Sequence, residues 1–187
     1  MPGGDPFDAW IAGLSPEQTA ALREHLPVNF ARAAVMVPLI ERPEGLTVLL
    51  TQRASHLKNH PGQISFPGGR IEPHDAGPWE AAVRETREEI GLEPGFASLA
   101  GFLHDHMVLT GYLIKPAVAF VSPGFTLELD VTEVDDVFEV PLEFVLDPAH
   151  HVPRSRGFGG HEFLTHDIPF GERHIWGATA GMLVALW

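Results

Sequence analysis

The chain has 187 residues, with 25 acidic against 12 basic side chains, a formal net charge of −13 and no cysteine. That length is a little more than one ordinary domain and can bury roughly 70% of the surface an unfolded chain exposes, so no disulfide or structural metal is needed to hold a core. The missing cysteine excludes disulfide frameworks, thiolate zinc sites, iron–sulfur clusters and thiol nucleophiles, and the acidic balance argues against nucleic acid as a partner, since a phosphate-backbone binder needs clustered Lys and Arg.

Residues 1–14 are rich in Gly and Pro and read as a flexible N-terminus without the basic and apolar regions of a secretory signal; residues 15–187 read as one domain. No apolar stretch approaches the ~20 residues that span a bilayer, so the chain reads as cytoplasmic with no membrane partner. Ser15-Pro16-Glu17-Gln18 offers an N-cap, a Pro at the first helical position and a Gln three residues after the cap, which predicts a helix to Leu26. Two β-like runs, 31–40 and 46–53, flank the turn signal Arg42-Pro43-Glu44-Gly45 and predict a hairpin. Residues 54–75 carry too many Pro and Gly residues for regular structure, apart from a short strand over 63–66, and a loop of that length inside a compact domain points to function.

Pro78–Ile90 is the best helix pattern in the chain, stopped by Gly91. Strands are expected over 96–107 and 114–121, a polar turn region before Val137, and a short helix or turn over 141–146. A loop over 150–160 then leads to a hairpin of 162–168 with 173–176, and 177–187 closes as an apolar helix. This order predicts an α/β chain with helices on both faces of a mixed central sheet.

On the 78–90 helix, Trp79, Val83, Thr86 and Ile90 form one stripe expected to face the core. Glu85, Glu88 and Glu89 fall at i, i+3 and i+4 on another face, with Ala81 and Ala82 expected to leave room beside them. Carboxylates at these spacings cost an exposed helix roughly 0.2–0.5 kcal/mol per pair; gathered in a partly buried site, they repel more strongly unless a cation lies among them. A solvated acidic face relieved by Arg84 and Arg87 is the competing reading. The Pro67-Gly68-Gly69 bend ahead of the helix favours the site, and oxygen donors without Cys suit Mg²⁺ or Mn²⁺.

The run Arg84-Glu85-Thr86-Arg87-Glu88-Glu89-Ile90-Gly91-Leu92, preceded by Gly68-Gly69, resembles the Nudix box, G-x5-E-x7-R-E-U-x-E-E-x-G-U with U bulky and apolar. Upstream, Leu49-Leu50-Thr51-Gln52-Arg53, Leu57, His60 and Gly62-Gln63-Ile64-Ser65-Phe66-Pro67-Gly68-Gly69 resemble the added signature of the coenzyme A pyrophosphatase branch. Weaker similarities run through Thr110-Gly111-Tyr112, Glu133-Val134 with Val137-Phe138, and Ile175-Trp176-Gly177-Ala178-Thr179-Ala180. Two departures stand out. One extra residue before the helix makes Asp75 the counterpart of the first box Glu, its role open between a water-mediated ligand, a helix-start anion and none. Thr86 stands where the box has a bulky apolar residue.

The resemblance implies a Nudix-type α/β/α sandwich that hydrolyses the pyrophosphate bond of coenzyme A or acyl-CoA with Mg²⁺ or Mn²⁺. Glu85, Glu88, Glu89 and the Gly68 carbonyl would hold the metal, Arg84 would orient carboxylates, and Glu85 or Glu133 would act as general base. Arg53, Lys58, His60, Arg70 and Tyr112 would contact the nucleotide substrate, and a homodimer is compatible with this reading. Two alternatives remain: the same chemistry on another nucleoside diphosphate derivative such as ADP-ribose, and a catalytically silent nucleotide-sensing module. His104-Asp105-His106 would place two His on one strand face, which suits a transition metal but is more often structural.

Overall fold

The computed structural model describes residues 14–27 and 29–187; the flexible segment expected over 1–14 lies outside them except for Leu14. Helix α1 is Pro16–His25, and its capping box forms as the sequence predicts: the Ser15 hydroxyl accepts from the Gln18 N–H and the Gln18 side chain accepts from the Ser15 N–H. The strands β1 (Ala31–Arg42) and β2 (Gly45–Arg53) form the expected antiparallel hairpin, with Leu39 opposite Val48. Strand β3 (Ile64–Ser65) pairs with β2, and β4 (Gly68–Arg70) with β1.

Helix α2 is Pro78–Ile90, closed by the Gly91 N–H on the Arg87 carbonyl. Strands β5 (Ala97–Phe102) and β6 (His106–Val108) follow, then β7 (Tyr112–Val121) and β8 (Val134–Pro141). The single strand expected over 96–107 is thus two, separated at 103–105. Helix α3 is Leu142–Leu146. Strand β9 (Val152–Phe158) occupies what reads in sequence as a loop, and pairs with β10 (His161–Phe170), which in turn pairs with β11 (Arg173–Ile175). The β9 residues are mostly exposed, and Pro153 and Gly157 break any alternation, so no periodic signal marks the strand. Helix α4, Gly177–Val184, ends short of the C-terminus.

Eight strands form one mixed sheet in the order β3-β2-β1-β7-β5, with β4 beside β1, β6 beside β7 and β8 beside β2. The β1–β7 pair is parallel and the other pairs are antiparallel. Strand β1 is buried over eight successive residues, as a central strand covered on both faces must be. Its alternate side chains divide between two cores: Val35, Val37 and Leu39 meet α3 and α4 through Val145, Ala180 and Leu183, whereas Ala34, Met36 and Ile40 meet α2 through Ala81, Ala82 and Ile90. This is the α/β/α arrangement expected from the order of elements. Among the described residues, no helix is long and apolar enough to cross a membrane.

Candidate active site

Helix α2 lies against β1, and its deeply buried residues are Ala81, Ala82, Thr86, Glu89 and Ile90. This corrects the role expected for the alanines. They leave no room for a ligand; their small side chains let the helix approach the sheet, while Trp79 and Val83 are only partly buried at the edge of that core. Thr86 is tolerated inside because its hydroxyl donates to the Ala82 carbonyl at 2.6 Å.

Seating the helix this close drives Glu89 inside with 5% of its surface exposed. Its Oε2 accepts from the Gly68 N–H at 3.1 Å, so the Gly68 contact with Glu89 runs through its amide. Burial pushes the Glu89 carboxyl up to about 8, against the opposing pull of the Gly68 N–H, with Glu133 and Glu85 repelling it further and Arg53 offsetting part of this. Glu85 is also raised, chiefly by burial and then by Glu88 and Glu133, while Arg84 pulls the other way.

The Pro-Gly-Gly bend fits this arrangement sterically. Gly68 has φ +147°, and a Cβ there would lie 2.4 Å from the Ala34 carbonyl oxygen; a Cβ on Gly69 would lie 2.5 Å from the Glu85 carboxyl carbon. Two glycines are therefore required, one for the backbone path and one as a cradle for the Glu85 carboxylate.

Arg84 joins the parts. Its Nε and Nη2 grip both Asp75 oxygens at 3.0 Å, its Nη1 reaches Glu85 at 2.9 Å and Glu88 at 3.0 Å, and Nη2 also donates to the Arg70 carbonyl. One side chain thus bonds both to Glu85 beside it and to Glu88 one turn on. Asp75 has only 3% of its side chain exposed, and the Arg84 guanidinium lowers its carboxyl to about 2. Of the roles left open for Asp75, the geometry gives it a different one: it anchors Arg84. An acid nine residues before the Arg is a weak sequence signal, because only the fold of 71–77 brings the two together.

The remaining predicted residues divide. Pairing of β2 with β8 sets Arg53 opposite Val134, which brings both Arg53 and Glu133 into the electrostatic surroundings of Glu89. Arg70 lies 5.7 Å over the Tyr112 ring while its carbonyl accepts from Arg84, which links this pair to the guanidinium that holds the carboxylates. Lys58 and His60 are exposed on the loop between β2 and β3, and among the described residues no hydrogen bond or ion pair joins either to the carboxylates. His104 lies outside β6 and is exposed, whereas His106 packs so tightly on α4 that a Cβ at Gly181 would lie 2.7 Å from its ring. The paired-histidine reading is therefore corrected: only one of the two sits on a strand, and burial lowers its pKa.

The donor set of Glu85, Glu88 and Glu89 is all carboxylate oxygen, and the Gly69 cradle admits one of them beside the bend; this suits a hard divalent cation. Among the described residues, no three Asp, Glu or His side chains already form a closed metal cage. Arg84 and the Gly68 N–H hold the carboxylates instead.

A carboxylate helix docked on a mixed sheet behind a diglycine bend defines a class. The family model for the NUDIX domain matches residues 30–158, and the chain belongs to the Nudix family, hydrolases that split phosphoric anhydride bonds in nucleoside diphosphate derivatives, generally with divalent cations. It is 36% identical over 160 residues to the uncharacterized Nudix hydrolase NudL of Escherichia coli strain K12, covering 83% of this chain and 81% of that one. The protein of the same name from Enterobacter sp. strain 638 is 35% identical over 156 residues, with coverage of 83% and 81%. The crystal structure of a MutT/nudix family protein from Enterococcus faecalis is similar in fold, with a TM-score of 0.55 and 15% identity over 96% of this chain and 70% of that one.

Proposed function

We propose that this Nudix hydrolase splits the pyrophosphate bond of coenzyme A or its thioesters, giving a 4′-phosphopantetheine species and 3′,5′-ADP. The observation that carries this reading is the position of Arg53, the last residue of β2, beside buried Glu89, with the 54–67 loop opening from the same point. That loop contains the stretch that resembles the coenzyme A pyrophosphatase signature, and its two ends, Arg53 and Gly68, both reach Glu89, which supports the reading.

In the proposed reaction, a water oxygen bonds to one phosphorus as the bridging P–O bond breaks, and the departing phosphate carries away the electron pair. A divalent cation held by Glu85, Glu88 and Glu89 would neutralise phosphoryl oxygens and lower the pKa of bound water. Glu133, exposed and close to Glu85 and Glu89, takes the proton from the water. Arg84 holds Glu85 and Glu88 in place through the Asp75 anchor. Arg53 contacts the scissile diphosphate, and Arg70 with Tyr112 contacts the substrate at the opposite edge. Residues 15–187 act as one unit in this reading, since β11 meets β3 and α4 packs on both β10 and β6.

The test is a panel of coenzyme A, dephospho-coenzyme A, ADP-ribose and dinucleoside polyphosphates with Mg²⁺ or Mn²⁺, read by product mass. Coenzyme A is expected to give 3′,5′-ADP with the highest kcat/KM; preferential turnover of ADP-ribose refutes the proposal. An Arg53→Ala protein should lose roughly tenfold or more in kcat/KM on coenzyme A, the loss expected when a charged contact to a phosphate goes. A silent sensing module is disfavoured because a pure binder has no use for a carboxylate kept buried as Glu89 is, at a cost in desolvation.

A further inference from the structure

Outside the carboxylate site, the three strands β9, β10 and β11 carry a second group of polar side chains. Asp167 is nearly buried and gathers two guanidiniums and an imidazole: Arg156 at 2.8 Å, Arg154 at 3.5 Å and His174 at 2.9 Å. Arg156 also donates to the Thr165 hydroxyl and lies with its guanidinium 5.3 Å over the ring of Trp176. Trp176 is nonetheless 38% exposed.

Its position follows from a short chain of contacts. Gly177, the next residue, borders the 54–67 loop, where a Cβ on it would meet Gln63 Nε2 at an ordinary contact distance of 3.6 Å, and the Thr179 hydroxyl donates to the Ile64 carbonyl at 3.0 Å. The Gln63 carbonyl accepts from the Arg53 N–H at 2.9 Å, and Arg53 is the cation beside Glu89. Three residues before Trp176, Arg173 bonds to Gln52 on β2 and to Asp136 on β8. An exposed indole backed by an arginine therefore stands next to the 54–67 loop, whose Gln63 carbonyl holds the Arg53 backbone. Arg154 and His174, each more than half exposed, meet the same Asp167 that Arg156 holds.

We infer that Trp176 is the stacking platform for the base of the substrate's nucleotide half, seated between the Arg53 end of the site and the cations around Asp167. A guanidinium fixed on one face of an indole stiffens it without covering the other, and aromatic faces stack on any base. The neighbouring cations suit a base that carries phosphate on its ribose. This inference rests on the nucleotide-substrate reading above and adds where the base lies.

The test is calorimetric titration of the full chain with 3′,5′-ADP in buffer containing a chelator, so that no turnover and no metal are involved. Trp176→Ala should weaken binding by about tenfold or more, the loss usual for one base–aromatic stack. Trp176→Phe, which keeps an aromatic face, should stay within a few-fold of wild type, and ribose 5-phosphate should bind all three proteins alike. Matching thermal melts establish that the variants are folded. Equal affinity of the wild-type and Trp176→Ala proteins for 3′,5′-ADP overturns the inference, as does the absence of measurable wild-type binding. If 3′,5′-ADP binds through Trp176 while coenzyme A is not split, the substrate proposal alone fails; if coenzyme A is split and Trp176→Ala binds as wild type does, the platform alone fails.

Discussion

A Glu89→Gln protein should fold, melt higher than the wild type at pH 8 in the presence of a chelator, and lose roughly three orders of magnitude or more of its Mg²⁺-dependent turnover. The two effects have opposite signs because one burial causes both. In the metal-free protein the Glu89 carboxyl titrates at about 8 against an ordinary value of 4.5, so between these pH values the folded chain holds a proton that the unfolded chain has released. Stability contributed at this position is therefore greatest below about 4.5, declines as pH rises through the window, and is constant above about 8. A neutral Gln removes the decline.

Cation binding reverses the preference, since a metal takes the charged carboxylate. Mg²⁺ should accordingly raise the wild-type melting temperature more at pH 8 than at pH 6, and Glu89→Gln should abolish that difference. Melting curves at the two pH values, with and without Mg²⁺, check this together with steady-state rates. Unchanged turnover would remove Glu89 from the proposed metal site.

The second large effect is expected at Arg84. One guanidinium holds Asp75, Glu85, Glu88 and the Arg70 carbonyl, so Arg84→Gln releases two carboxylates of the site at once. A misplacement on the order of 1 Å can cost roughly a hundredfold in rate, and a loss of that size or larger is expected in kcat, with a smaller change in KM. Arg84→Lys should not restore it, because an ammonium cannot reproduce the planar fork on Asp75.

The variant should also be less stable, because Asp75 keeps its enclosed position without its partner. In the wild type, the Asp75 carboxyl is lowered from 3.8 to about 2, so the stabilising contribution of the pair is complete above about 3.8 and is lost as pH falls through about 2. Arg84→Gln should remove that acid-range dependence. Adding Asp75→Asn to Arg84→Gln should recover stability without recovering turnover. If it recovers turnover as well, Arg84 does not act by positioning Glu85 and Glu88.

Much of this protein is decided by local sequence. The α1 capping box, the β1–β2 hairpin, the bounds of α2 and the α/β/α layering all follow from caps, turns and periodicity, which act over a few residues. The carboxylate triplet and the Pro-Gly-Gly bend are visible in the same way. Strand β9 is not, because its residues are mostly exposed and its pairing with β10 is held by backbone bonds that leave no pattern in the side chains.

Tertiary structure decides the rest. Which carboxylate of the triplet is buried depends on how far Ala81 and Ala82 let α2 sink onto β1, and that depth raises Glu89 while leaving Glu88 exposed. Asp75 meets Arg84, Arg53 and Glu133 meet Glu89, and Trp176 meets Arg156 only once distant segments are packed and paired. Residue types set which groups can ionise, ligate or stack. Their burial and partners, which fix how strongly they do so, come from contacts between segments that no short window of sequence contains.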